Sequence, residues 1–340
     1  MPDEGAVLHG GRLAAARREF PRAPEPFIDL STGINPVAYP LPALRPEAFS
    51  RLPEPEAQAG LEQAAATAYG VPSADMIVAA PGTQILISLL PRLFPARSVA
   101  VLAPTYSEHA ICWRTAGADV RHVSSLAEAG AADAIVLCNP NNPDGRRHDP
   151  AGLLQLAERQ AARQGLVVVD EAFADLEDAA LSVAPLLPRR SLLVLRSFGK
   201  TYGLAGLRLG FLLGAPDHVA GMRTALGPWA VSGPALAVGQ MALRDAAWRD
   251  QARLRLTSDV ARLDEMLRAA GLNVVGGTLL FRLAEHAEAP ALYRKLGQAG
   301  ILVRRFPERP SWLRFGLPGH AMAWTRLAEA LGMTARRAGV

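Results

Sequence analysis

Lys200 sits in the run Arg196-Ser197-Phe198-Gly199-Lys200-Thr201-Tyr202-Gly203, directly behind the apolar stretch 192–195. That stretch reads as a buried strand. A lysine carried by such a strand into a loop of small residues is placed for chemistry, because burial disfavours the ammonium form and leaves the amine a usable nucleophile. An amine of that kind forms a Schiff base with an aldehyde. Ser197 precedes it and Arg208 follows it on the next strand-like segment. A hydroxyl and a guanidinium suit a phosphate. Taken alone, the motif also fits a surface loop with an ordinary lysine.

Further reactive residue types recur at the ends of apolar runs. Pro81-Gly82-Thr83-Gln84 separates a short strand over 76–80 from a helix over 85–93. Strand, glycine turn and helix start together aim free backbone N–H groups at an anion. Pro104-Thr105-Tyr106 closes a strand over 98–102, where Tyr106 either covers a flat ring or packs on the sheet edge. Asn139 to Gly145 closes a strand over 134–138 as a rigid loop with two Asn-Pro steps. Asp170 and Glu171 close a strand over 166–169. Adjacent carboxylates there need partners, either a ligand or local groups. Arg314 lies inside the apolar strand 312–317 and needs an anion, from a ligand or an internal salt bridge. His9-Gly10-Gly11-Arg12 and Ser31-Thr32-Gly33-Ile34-Asn35-Pro36 read as an arm folded over a site, with an exposed terminal His9 as the alternative.

The elements that position these residues alternate between strand and helix. The spacing predicts helices over 13–20, 55–69 and 150–163, strands over 118–123 and 207–213, and the strands already named. Strands apolar on both faces point to a mostly parallel sheet covered by helices. Ligands of such sheets bind beyond the carboxyl ends of the strands. Gly82, Tyr106, Asn142, Asp170 and Lys200 all follow strands. A long helical stretch over 234–270 is expected to bend or split near Arg249. Strands over 272–275, 278–283, 301–305 and 312–317, with helices over 290–300 and 322–331, form a smaller α/β unit. The expected division is a large domain over 30–245, with 1–29 and 246–340 forming an arm and a small domain.

Composition narrows the partners. The 340 residues are 50% hydrophobic and 20% charged, with a formal net charge of +4. That is the balance of a globular chain. Its arginines are scattered, without the basic, aromatic-interleaved stripe that nucleic acid requires. Cys112 and Cys138 lack CxxC spacing, so neither a metal site nor a disulfide framework is expected. No run has the length for a bilayer span, and the first residues lack a signal-type apolar core. A cytoplasmic protein is the expectation.

Taken in order, these motifs resemble the fold type I family of pyridoxal-phosphate enzymes, the aspartate aminotransferase group. The likeness covers nearly the whole chain. It implies a three-layer αβα large domain with a mostly parallel sheet plus a smaller α/β domain, and pyridoxal 5'-phosphate as cofactor. Carried over, it implies that Lys200 holds the cofactor aldehyde and shuttles protons, and that Asp170 pairs with the protonated pyridine nitrogen. Asn142 would bond the ring hydroxyl and Tyr106 stack on the ring. Gly82, Thr83, Gln84, Ser197 and Arg208 would hold the phosphate, and Arg314 the substrate carboxylate. His9, Gly33 and Asn35 are expected near the substrate, with Arg12 a further candidate for its phosphate. A homodimer is implied as well. Within the family, the opening residues are similar to the threonine-phosphate decarboxylases of cobalamin biosynthesis, with histidinol-phosphate aminotransferases as near neighbours. Two positions depart from the family pattern: Phe173 replaces a tyrosine common on the ring hydroxyl, and Leu52-Pro53 stands where aminotransferases often have Tyr-Pro.

Overall fold

The computed structural model describes residues 9–333. Its strands are β1 (Ile28–Leu30), β2 (Ile77–Ala80), β3 (Ser98–Leu102), β4 (Asp119–Val123), β5 (Ala134–Cys138), β6 (Leu166–Asp170), β7 (Leu192–Ser197), β8 (Gly210–Leu213), β9 (Asn273–Thr278), β10 (Phe281–Glu285), β11 (Ile301–Arg305) and β12 (Trp312–Gly316). Two compact units form. One comprises Ala38–Asn142 and Arg146–Arg253; the other comprises the chain up to Val37, Pro143–Gly145 and the chain from Leu254 on.

The first unit holds a sheet of order β2-β8-β7-β6-β5-β3-β4. The strands run parallel except β8, which is antiparallel to both neighbours. Every residue of β2, β5, β6, β7 and β8 is buried. Alternate residues of each strand must therefore feed two cores. On one face, Ile77, Ile135, Val167, Val194 and Phe211 pack with Leu61, Leu153 and Ala235 from three helices. On the other, Val78, Val136, Val168, Leu195 and Leu212 pack with Leu86, Trp113 and Met222 from three more. This is the expected αβα sandwich. Edge strand β4 differs, with charged Asp119 and Arg121 exposed, which discourages pairing with another chain. The second unit holds the order β1-β11-β12-β10-β9, with β1 parallel to β11 and the rest antiparallel. Its helices include Leu13–Glu19, Ala289–Gln298 and Ala321–Ala330.

Several boundaries differ from expectation for local reasons. The strand expected over 207–213 begins only at Gly210, because Arg208 adopts a left-handed backbone (φ 54°) after a 3-10 turn. The helical stretch splits at Asp245 rather than near Arg249. The Asp245 carboxylate accepts the Trp248 N–H (2.9 Å) and the Tyr39 hydroxyl (3.2 Å), and so caps the helix Ala246–Ala269. Gly276-Gly277 is not the hairpin turn between β9 and β10. It lies inside β9, where a Cβ on Gly276 would fall 2.3 Å from the Asp144 carbonyl oxygen, and the turn is at Leu279-Leu280. The helix Pro216–Leu226 and strand β1 were not anticipated from spacing.

Glu171 settles the question of adjacent carboxylates at its own position by local pairing. It is fully buried, accepts the Ser182 hydroxyl and the Val183 N–H (both 2.7 Å), and pairs with Arg196 at 2.9 Å. Arg196 also holds Asp175 at 2.5 Å and lies 4.7 Å from the Tyr69 ring centroid. Breaking one member of such a group leaves buried charge uncompensated. Arg196→Leu is therefore expected to lower the unfolding free energy by about 3–5 kcal/mol, measured by denaturant titration.

Candidate active site

The parallel strands β2, β5, β6 and β7 deliver their carboxyl ends to one sheet edge, and antiparallel β8 begins there. Register places Ala80, Gly210 and Ser197 side by side across β2, β8 and β7. Gly82 (φ 87°) caps the helix Thr83–Leu93, with no side chain bonded to its first N–H groups. A Cβ on Gly82 would lie 2.6 Å from the Arg208 guanidinium, and one on Gly210 would lie 2.7 Å from the Thr83 nitrogen. Gly210 is needed for the close approach of the Thr83 backbone, and Gly82 for its positive φ. The left-handed turn at Arg208 brings its guanidinium over Gly82. Open helix N–H groups, the Ser197 hydroxyl and an arginine are the donor set of a phosphate cradle. The Gln84 side chain is engaged elsewhere: its carbonyl accepts the Tyr106 hydroxyl (2.9 Å), and its amide donates to Glu108 (3.4 Å). Only its backbone N–H faces the role expected of it.

Two strands along, Asp170 ends β6 and is buried. Its Oδ1 accepts the Ala172 N–H (3.0 Å), and its Oδ2 meets His109 Nε2 at 2.9 Å. Burial works against the carboxylate charge. The hydrogen bond and charge of His109, then the charge of Lys200, outweigh it and hold Asp170 below its ordinary 3.8. His109 is buried completely; burial lowers its pKa, but the bonds to Asp170 and Cys138 win and raise it from 6.5 to about 10. An ionised carboxylate has about four lone-pair sites, so Asp170 can also accept from a pyridinium. Two strand spacings separate the ends of β8 and β6, about 10 Å, a span that suits a flat ring carrying a phosphate arm.

Lys200 lies on the one-turn helix Phe198–Thr201 and is half-buried. Its Nζ stands 5.1 Å from the Phe173 ring centroid. Phe198 and Tyr202 stack at 4.3 Å, and Tyr202 stacks on Trp248 at 5.5 Å, which anchors the turn. Tyr106 is edge-on to His109 at 6.0 Å. In the loop after β5, Asn139 exchanges hydrogen bonds with His148 (2.9 and 3.2 Å), and Asn141 bonds Thr105 and the Pro104 carbonyl (both 2.8 Å). Asn142 follows them, half-buried. Gly82, Thr83, Tyr106, Asn142, Asp170, Ser197, Lys200 and Arg208 thus all stand at this one edge.

The remaining expected residues belong to the other unit. Arg314 is buried, donates to the Ser31 carbonyl (3.0 Å) and lies 4.9 Å from the Phe281 centroid. Burial, then the charge of Arg304, push its guanidinium down to about 9, with Asp29 pulling the other way. Arg304 is its register partner across β11 and β12. Asn35 is buried and accepts from Arg255 (3.0 Å) and the Val37 N–H (3.1 Å). Gly33 is buried, whereas His9 is exposed. His9, Arg12, Ser31, Arg304 and Arg305 line a cavity of about 80 Å³. Sequence reasoning did not assign roles to His109, Cys138 or Arg304. The helical phase of His109 behind Tyr106, one turn on, was a signal available for the first.

Comparison with known proteins gives the family and the fold. The profile of the family "Aminotransferase class I and II" matches residues 25–331. The threonine-phosphate decarboxylase of Sinorhizobium sp is 43% identical over 96% of this chain and 97% of its own. That of Pseudomonas aeruginosa is 43% identical over 95% and 96%. Among solved structures, the histidinol-phosphate aminotransferase of Clostridium acetobutylicum superposes with a TM-score of 0.78 at 19% identity, over 90% of this chain and 98% of that one, a likeness of fold.

The buried pair has a definite pH signature. A raised His109 pKa stabilises the fold fully below 6.5 and loses its contribution as pH rises through about 10. The depressed Asp170 pKa stabilises it above 3.8 and loses its contribution as pH falls. In the cofactor-free protein, the His109 ring is expected to stay doubly protonated well past 6.5, followed by its ¹⁵N resonances. Release of the proton near 6.5 would contradict the pairing.

Proposed function

Because the chain belongs to the aminotransferase class I and II family, we propose that it is a pyridoxal-phosphate enzyme that decarboxylates L-threonine O-3-phosphate. The products are carbon dioxide and (R)-1-aminopropan-2-yl phosphate, a step of cobalamin biosynthesis. The observation that carries this reading is the full-length identity to threonine-phosphate decarboxylases.

When bound, pyridoxal phosphate supplies an aldehyde to react with an amine and an electron sink for the pair left at Cα. The chain's own residues supply the rest. The Thr83 end of its helix, Ser197 and Arg208 hold the phosphate. Asp170, kept ionised by His109, holds a proton on the ring nitrogen. Tyr106, pinned through its hydroxyl by Gln84, would cover one face of the ring. Asn142 would bond the ring hydroxyl without help from Phe173, whose apolar ring lies 5.1 Å from Lys200 Nζ. The Lys200 amine would be the group that holds the cofactor aldehyde, and once freed it would be the base and acid for the proton at Cα. The substrate carries two anionic groups, and Arg304 and Arg314 are two cations paired across β11 and β12. Arg314 takes the carboxylate, and the cavity lined by His9, Arg12 and Arg304 suits the phosphate.

The proposal includes a cytoplasmic homodimer. Leu41, Phe49 and Leu52 are 65%, 71% and 65% exposed within one short segment, an apolar surface suited to a second copy. The alternative activity is transamination of a phosphorylated amino acid such as histidinol phosphate, on the same cradle. The purified enzyme with L-threonine O-3-phosphate is expected to release one carbon dioxide per substrate with no keto acid present. Lys200→Ala should lower that rate by roughly 10³-fold or more. A strict need for a keto acid, with an amino acid formed from it, would establish the aminotransferase instead.

A further inference from the structure

The register of β5 and β6 sets Cys138 directly beside Asp170. Both side chains are buried, and Sγ lies 3.8 Å from Oδ2, within reach of a sulfur hydrogen bond. The Thr105 hydroxyl approaches the same sulfur at 3.1 Å, and the doubly protonated His109 beside it can only donate, so it takes no thiol proton. The direction of each proton follows from the groups beyond. Asn141 Nδ2 donates to the Pro104 carbonyl, which can only accept. The amide is thereby oriented with Oδ1 toward Thr105, 2.8 Å away. Oδ1 also only accepts, so the Thr105 proton goes to Asn141. The thiol proton is then left with two acceptors, Thr105 Oγ1 and Asp170 Oδ2. The ionised carboxylate is the stronger of the two.

We propose that Cys138 is a positioning residue for Asp170, its thiol donating to the carboxylate so that the proton shared with the cofactor stays on the ring nitrogen. The inference rests on the reading of Asp170 as the partner of that nitrogen. A carboxylate with fewer donors is more basic and draws a shared proton toward itself. His109 meets the same oxygen, but as a cation it also repels a pyridinium. A thiol donates without adding charge. Thr105 sets how much of that donation Asp170 receives, since it competes for the thiol proton.

The test is a pH titration of the visible absorption band of the bound cofactor in the holoenzyme. A less cationic ring nitrogen makes the lysine–cofactor nitrogen hold its proton to higher pH. Cys138→Ala is expected to move the midpoint up by about 0.5 pH unit, with kcat reduced about threefold and KM unchanged. Cys138→Ser, which keeps a donor, should return the midpoint toward the wild-type value. Thr105→Val removes the competing acceptor and should move it down, so the idea stays testable even if the alanine variant does not fold. A wild-type midpoint in folded Cys138→Ala, or in folded Thr105→Val, would overturn the thiol's role alone. A wild-type protein that develops no visible band with pyridoxal phosphate would overturn it together with the functional reading.

Discussion

An ionised carboxylate buried at the end of an apolar strand is the constraint around which this molecule is arranged. Strand β6 buries all five of its residues, and its last is Asp170. Desolvation alone would leave that side chain neutral. His109 Nε2 at 2.9 Å, the Ala172 N–H and the charge of Lys200 keep it ionised instead. Only an ionised Asp170 can stabilise a proton on a ring nitrogen, and only a protonated ring draws electrons strongly from Cα. The pair in turn stabilises His109, which could not carry charge in that interior without its partner.

The sheet converts this local balance into a site. Its order puts β8 and β7 between β2 and β6, so the anion cradle and Asp170 are held about two strand spacings apart on rigid elements. Glycine at positions 82 and 210 lets Arg208 and the start of the helix Thr83–Leu93 close on one point. The neighbouring carboxylate, Glu171, has the opposite task. It faces Arg196 and Ser182 and binds the interior together rather than facing a ligand. Two adjacent acids thus diverge in role because strand geometry turns successive side chains to opposite faces.

Much of this arrangement was legible from residue order. Apolar runs ending in Gly82, Tyr106, Asn142, Asp170 and Lys200 are themselves evidence of a parallel sheet with reactive groups at its carboxyl edge. Contacts made at long range were not legible. His109 lies 61 residues from Asp170 in the chain, and although its helical phase behind Tyr106 put it on the same side as the site, that phase did not name Asp170 as its partner. Arg196 read as the start of a loop, yet β7 extends through it to Ser197 and buries it. The left-handed turn at Arg208 was hidden because an arginine ordinarily avoids φ > 0. The double glycine in β9 mimicked a hairpin turn, since sequence does not show that another backbone segment, at Asp144, approaches there.

In the proposed reading, Asp170 keeps the cofactor's ring nitrogen protonated. The most direct measurement is the ¹⁵N chemical shift of that nitrogen in ring-labelled pyridoxal phosphate bound to the protein at neutral pH. A pyridinium shift is expected in the wild type and a neutral-pyridine shift in Asp170→Ala. A neutral-pyridine shift in the wild type, or a pyridinium shift that survives in Asp170→Ala, would contradict it.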